Sequence, residues 1–124
     1  MKIEELRIGN YIQWNNFTEA RIMNYKDFSI VYELLQNEES DSIKPIQTTE
    51  EYILRFGFKE IKNEPRQWFK IKTKKRGVSF EIDIKRKRAI LFYHSFFIDI
   101  KYPKYIHELQ NAFFAITGTE LILK

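Results

Sequence analysis

The stretch from Tyr102 to Gly118 constrains the fold most. Pro103 suits the first residue of a helix, because its φ is already fixed and its missing N–H is one that a helix start leaves unpaired. Gly118 suits the left-handed position just past a helix end. Between them Ile106, Leu109, Phe113 and Ile116 recur at helical spacing and fall on one face. The pattern predicts a C-terminal amphipathic helix over 102–118. Each inward side chain contributes roughly 1.5–3 kcal/mol on full burial, before entropy is subtracted. The remainder of the chain is expected to fold against that face.

The segment before the helix reads as a β-meander over 66–101. Expected strands are Arg66–Thr73, Val78–Ile84 and Ala89–Tyr93, with Phe96–Lys101 either a fourth or a continuation of the third past a bulge. In the second strand Val78, Phe80, Ile82 and Ile84 alternate with Ser79, Glu81, Asp83 and Lys85, which predicts one buried face and one wet face. The first 43 residues read as a smaller, SH3-like meander. A short turn over Met1–Leu6 and a second turn at Arg7–Asn10 lead into the strand Tyr11–Trp14. Strands over Phe17–Tyr25 and Phe28–Leu35 follow, separated by a turn at Lys26 and Asp27. Gln36–Ser42 is an acidic loop. Over 44–58, Thr48 or Thr49 can cap a helix of two to three turns, with Glu50 and Glu51 in its first turn and Gly57 ending it. Tyr52, Ile53 and Phe56 would face inward. The fold class expected is α+β, a single domain of 124 residues with two antiparallel meanders, a short middle helix and a C-terminal helix.

Several chemistries find no support in the residues. The chain has no cysteine, which removes disulfides and zinc–thiolate sites. The charged N-terminal stretch lacks a signal-peptide core, and no apolar run reaches the roughly 18–20 residues of a membrane span. No P-loop or dinucleotide fingerprint occurs, so no cofactor is expected. His94, Ser95 and Asp99 could be imagined as a hydrolytic set, but no nucleophile elbow accompanies them. His107 reads as a helix-surface or packing residue. With two distant histidines, no metal site is expected. The expectation is a protein that is not an enzyme.

Charge points toward binding. The net charge of +4 hides a split. Residues 1–56 carry six basic and ten acidic side chains, whereas residues 57–124 carry fifteen basic and seven acidic. The most acidic surface is expected around Glu33, Glu38, Glu39 and Asp41. The basic excess gathers in two turns, Lys74, Lys75 and Arg76 in one and Lys85, Arg86, Lys87 and Arg88 in the other. In a meander these lie at opposite ends of the sheet. Lys70 and Lys72 share a strand face with Trp68. Aromatic rings interleaved with cations are what a single-stranded nucleic-acid site uses, since charge holds phosphates and rings stack bases. The competing reading is that Lys70 and Lys72 pair with Glu81 and Asp83 across the hairpin and guard the strands against aggregation.

Three stretches carry a resemblance. They are Arg7-Ile8-Gly9-Asn10, then Lys44-Pro45-Ile46 with Thr49–Leu54 and Phe56-Gly57-Phe58, and Tyr105–Asn111 with Phe114–Leu121. Together they look like a family of small proteins encoded by phages, prophages and mobile elements of Gram-negative bacteria. The last stretch is the most specific. The shared residues read as caps and core, so no catalytic residue carries over. The resemblance implies a cytoplasmic protein of a host bacterial cell that antagonises host defence by binding, as an anti-CRISPR does. The partner it implies is a type VI RNA-guided RNA nuclease or its guide RNA. The alternative is a stand-alone RNA- or DNA-binding regulator of the mobile element. Oligomeric state is left open.

Overall fold

The structure is a computed structural model that describes all residues except 1, 16–17, 37–41 and 64–65. It is α+β, with a three-stranded and a five-stranded sheet, both antiparallel. The chain divides into two compact units, Met1–Gln47 with Tyr105–Ala112, and Thr48–Lys104 with Phe113–Lys124.

The first unit opens with a 3-10 turn at Ile3–Glu5 and the strand β1 (Tyr11–Trp14). β1 sits between β2 (Thr18–Arg21) and β3 (Ile43–Lys44). The helix α1 (Tyr25–Gln36) lies where a third strand over Phe28–Leu35 was expected. The reason is spacing. Phe28, Val31 and Leu35 recur at i, i+3 and i+7 and pack on a core of Leu6, Ile12, Ile22 and Ile43, while Ile30, Tyr32 and Glu33 face out. The polar residues read as a turn start this helix instead. The Asn24 side chain accepts from the Asp27 amide at 2.9 Å, and Asp27 accepts from the Met23 amide at 3.0 Å. The third strand of the small sheet is therefore the two-residue β3, paired to the far side of β1, and the N-terminal sheet is not a meander.

In the same unit, two of the resembling stretches interlock although about a hundred residues separate them. Gln110 is fully buried; its Oε1 accepts from the Tyr11 amide and its Nε2 donates to the Gly9 carbonyl, both at 2.9 Å. Asn111 Oδ1 accepts from Asn10 Nδ2 at 2.8 Å and from Arg7 Nε at 3.1 Å, while Asn111 Nδ2 donates to the Glu5 carbonyl at 2.8 Å. Asn10 Oδ1 accepts from the Arg7 amide at 2.7 Å and closes the turn. Gly9 takes φ +104°, a conformation open to glycine at little cost.

The second unit begins with α2 (Glu50–Arg55), capped by Thr49, whose side chain accepts from the Tyr52 amide at 3.5 Å. Gly57 follows at φ +100°. Ile53 and Phe56 are buried, with Tyr52 partly so. Five strands then run in spatial order: β4 (Lys59–Asn63), β5 (Arg66–Lys72), β6 (Val78–Asp83), β7 (Arg88–Tyr93) and β8 (Phe96–Ile100). The sequence pattern did not mark β4. Lys59–Asn63 has one apolar residue, Ile61, and such a charged strand is stable only as the outer member of a sheet, which is its place here. Phe69, Phe80, Ile82, Ala89 and Leu91 are buried on one sheet face, and the Phe113 ring meets Phe80 edge-on at 6.0 Å. The opposite face of β6 is not uniformly wet. Ser79 and Asp83 are buried and Glu81 is half-buried, because β6 is the central strand.

The C-terminal helix α3 spans Ile106–Thr117 and begins later than Pro103. The residues before it are engaged otherwise. Thr48 Oγ1 donates to the Pro103 carbonyl at 2.7 Å, and the Thr48 amide donates to the Lys104 carbonyl at 2.9 Å. The helix start is set by Glu108, whose carboxylate accepts from the Tyr105 amide at 3.0 Å. Ile106, Leu109 and Phe113 are buried as their spacing predicts, whereas Ile116, expected on the same inward face, is exposed. The tail 119–124 forms no strand; the Lys124 amide donates to the Arg55 carbonyl at 2.9 Å.

Candidate nucleic-acid interface

The register of the five-stranded sheet decides which side chains share its open face. One row crosses the sheet as Lys59, Lys70, Glu81, Ile90 and Asp99. A second row runs Lys72, Ser79, Phe92 and Phe97. Trp68 lies opposite Ile61, two residues along β5 from Lys70. Alternation sends all of these away from the face that buries Phe69, Phe80 and Ile82.

Two hollows adjoin on this face. A hollow of about 390 Å³ is lined by Ile61, Trp68, Glu81, Arg88, Ile90, Phe92 and Phe97. Its neighbour, about 620 Å³, is lined by Lys70, Lys72, Lys75, Arg76 and His94, and shares Glu81 and Phe92 with the first. The first is aromatic and the second cationic. The Arg88 guanidinium is 5.9 Å from the centre of the Trp68 ring and bonds Asp99 Oδ1 at 2.9 Å. The Phe92 and Phe97 rings lie 6.2 Å apart at 40°, with Phe97 64% exposed.

The turn Lys74–Gly77 is shaped by glycine. Gly77 takes φ +80°, and a Cβ there would lie 2.8 Å from His94 Nδ1. The Gly77 carbonyl accepts from the His94 amide at 2.8 Å. This close approach holds His94 beside Lys75 and Arg76. Glu81 is raised above the ordinary carboxylate pKa by burial, with the facing Lys70 acting in the opposite direction.

Of the residues singled out from the sequence, Trp68, Lys70, Lys72, Lys75, Arg76 and Arg88 line these hollows. Lys74 is exposed on the same turn without lining either. Lys85, Arg86 and Lys87 sit on the other turn, at the far end of β6, and Arg86 is tied to Asp83, its amide donating to Asp83 Oδ1 at 3.1 Å. The cross-hairpin ion pairs expected for the lysines are not formed among the described residues. Lys70 faces Glu81, but Lys72 faces Ser79 and not Asp83. Phe92, Phe97, Ile61 and Glu81 were missed as site residues, although strand parity from Ile90 to Phe92 carried the signal. Glu33 is exposed on α1, while Glu38, Glu39 and Asp41 lie outside the described residues. His94 sits in the β7–β8 turn and Asp99 is engaged by Arg88. His107, expected on a surface or in packing, is buried at 1% exposure with its ring parallel to that of Tyr105, 5.8 Å away.

No helix among the described residues is long and apolar enough to cross a membrane. No family model, curated protein or solved structure matches this chain.

Proposed function

We propose that this protein is a non-enzymatic binder of single-stranded nucleic acid, RNA in the first instance, which it holds on the open face of the five-stranded sheet. The observation that carries the reading is the adjacency of the two hollows. Trp68, Phe92 and Phe97 offer rings for bases, and Lys70, Lys72, Lys75 and Arg76 border them with positive charge for phosphates. An exposed aromatic sheet face with a basic rim loses little conformational entropy on binding, because the strands fix the rings beforehand. The family resemblance implies a setting for such a binder. There the RNA is the guide of a host RNA-guided nuclease, and the protein acts as its inhibitor.

Fluorescence anisotropy with a labelled single-stranded RNA tests the reading. If these four cations contact phosphates, log K falls with log salt at a slope of about −2.8. Replacing Trp68 by Ala weakens binding by about 1–3 kcal/mol. A flat salt response, or full affinity in the Trp68→Ala variant, overturns the proposal. An inhibitor further binds the assembled nuclease complex much better than bare RNA, whereas a stand-alone regulator binds both alike.

A further inference from the structure

The charged side chains that line the two hollows are cations except at one point. Among the described residues, Glu81 is the only carboxylate that lines either of them, and it lines both. Its carboxylate is half-buried and, among the described residues, forms no hydrogen bond or ion pair, although Lys70 stands opposite it in register. A carboxylate here repels phosphate, so it does not serve backbone contact. Its value lies with the base edge.

We propose that Glu81 reads guanine, accepting from the N1–H and N2 amino groups of a base stacked in the aromatic hollow. This rests on the single-strand reading above and adds base selectivity to it. The four bases differ in what they present to two carboxylate oxygens. Guanine presents two adjacent donors, which match the carboxylate in a paired contact. Adenine and cytosine each place a ring-nitrogen acceptor beside their single amino donor, and that acceptor repels the carboxylate. Uracil places its one N–H between two carbonyl oxygens. The guanine O6 next to N1 is left as an acceptor, and Lys70 and Arg88 border the hollows as donors. Partial exclusion of water by Trp68, Ile90 and Phe92 strengthens a charge-assisted contact of this kind. The upward displacement of the Glu81 pKa by burial fits a carboxylate short of partners in the free protein.

The test uses labelled uridine decamers carrying one central guanosine, adenosine, cytidine or inosine, titrated with the full-length protein. Guanosine improves affinity about tenfold over adenosine and cytidine, the size expected of one paired base contact. Inosine, which keeps N1–H and O6 but lacks the amino group, loses most of that gain without any change to the protein. Glu81→Gln removes the guanosine advantage, measured as the ratio of guanosine-decamer to adenosine-decamer affinity within that variant. Equal affinity for all decamers, or a guanosine advantage that survives in Glu81→Gln, overturns the inference and leaves the single-strand reading standing. Failure of every decamer to bind sinks both.

Discussion

The interlocked turn at Arg7–Asn10 and the open sheet face around Trp68 use the same kinds of side chain in opposite ways. In the first, polar groups are consumed. Gln110 and Asn10 are buried, and each is bonded to backbone or to another amide. In the second, polar and aromatic groups are left over. Lys72, Lys75 and Arg76 form no ion pair among the described residues, and Phe97 is mostly exposed. Buried polar groups must be satisfied within the fold, because each unpaired one costs about 1–3 kcal/mol. Exposed ones are satisfied by water and can exchange it for a ligand. The difference separates what holds this chain together from what it can offer a partner.

The comparison breaks most visibly at Gln110. Replacing it by Ala removes the bonds that its side chain makes to the Tyr11 amide and to the Gly9 carbonyl, the latter still accepting from Arg21 Nε at 3.2 Å. Chemical denaturation should show a loss of about 1–3 kcal/mol, the cost of disrupting one buried hydrogen-bonded amide. RNA affinity per folded molecule should not change. If Gln110→Ala unfolds as the native chain does, the network is not the scaffold it is argued to be. The converse variant is Trp68→Ala, with affinity weakened by about 1–3 kcal/mol as base stacking requires. Its denaturation midpoint should move less than that of Gln110→Ala. A larger loss of stability than of binding would make Trp68 a structural residue.

Legibility in the sequence followed the same division. Four strands of the large sheet and the inward face of α3 could be read because apolar alternation and helical spacing are local and strong there. Phe28–Leu35 was misread as a strand, since Ile30, Val31 and Tyr32 carry β-propensity that helical packing of Phe28, Val31 and Leu35 overrides. β4 was invisible because an outer strand need not alternate. At the site, the basic residues and Trp68 stood out by composition. Their separation into hollow-lining and remote groups depends on register and on Gly77, which composition does not encode. Gln110 and Asn111 were visible only as part of a resemblance. That they bond to Gly9, Tyr11 and Asn10 is a tertiary fact.

His107 sharpens the comparison from the other side, as a buried polar group that is not consumed. Neither of its ring nitrogens has a hydrogen-bond partner among the described residues. Burial lowers its pKa below the ordinary histidine value, with Glu108 and Glu5 opposing more weakly. The folded state therefore takes up a proton less readily than the unfolded state. Stability is fully present above the unfolded histidine pKa and falls as pH drops through it toward the folded value. One proton limits the slope to about 1.4 kcal/mol per pH unit. Denaturation of the native chain and of His107→Phe between pH 7.5 and 5 measures this. The variant should flatten the dependence in that window; an unchanged curve would assign the acid sensitivity to other groups.

The smallest effect separates the two basic turns. They carry similar charge, and net charge alone would make them equivalent in attracting RNA. Position does not. Lys75 and Arg76 line the cationic hollow, while Lys85 and Lys87 project from the opposite end of β6. At physiological ionic strength the screening length is about 8 Å, so a charge well beyond it steers encounter but adds little to the bound state. Lys75→Glu with Arg76→Glu should weaken RNA binding strongly and lower the salt slope by about 1.4, two phosphate contacts' worth. Lys85→Glu with Lys87→Glu should leave the slope unchanged and alter affinity by less than about 0.5 kcal/mol, the usual range for surface changes remote from a site. Equal losses from both pairs would mean that RNA responds to the total charge of the sheet and not to the face that Gly77 and the strand register assemble.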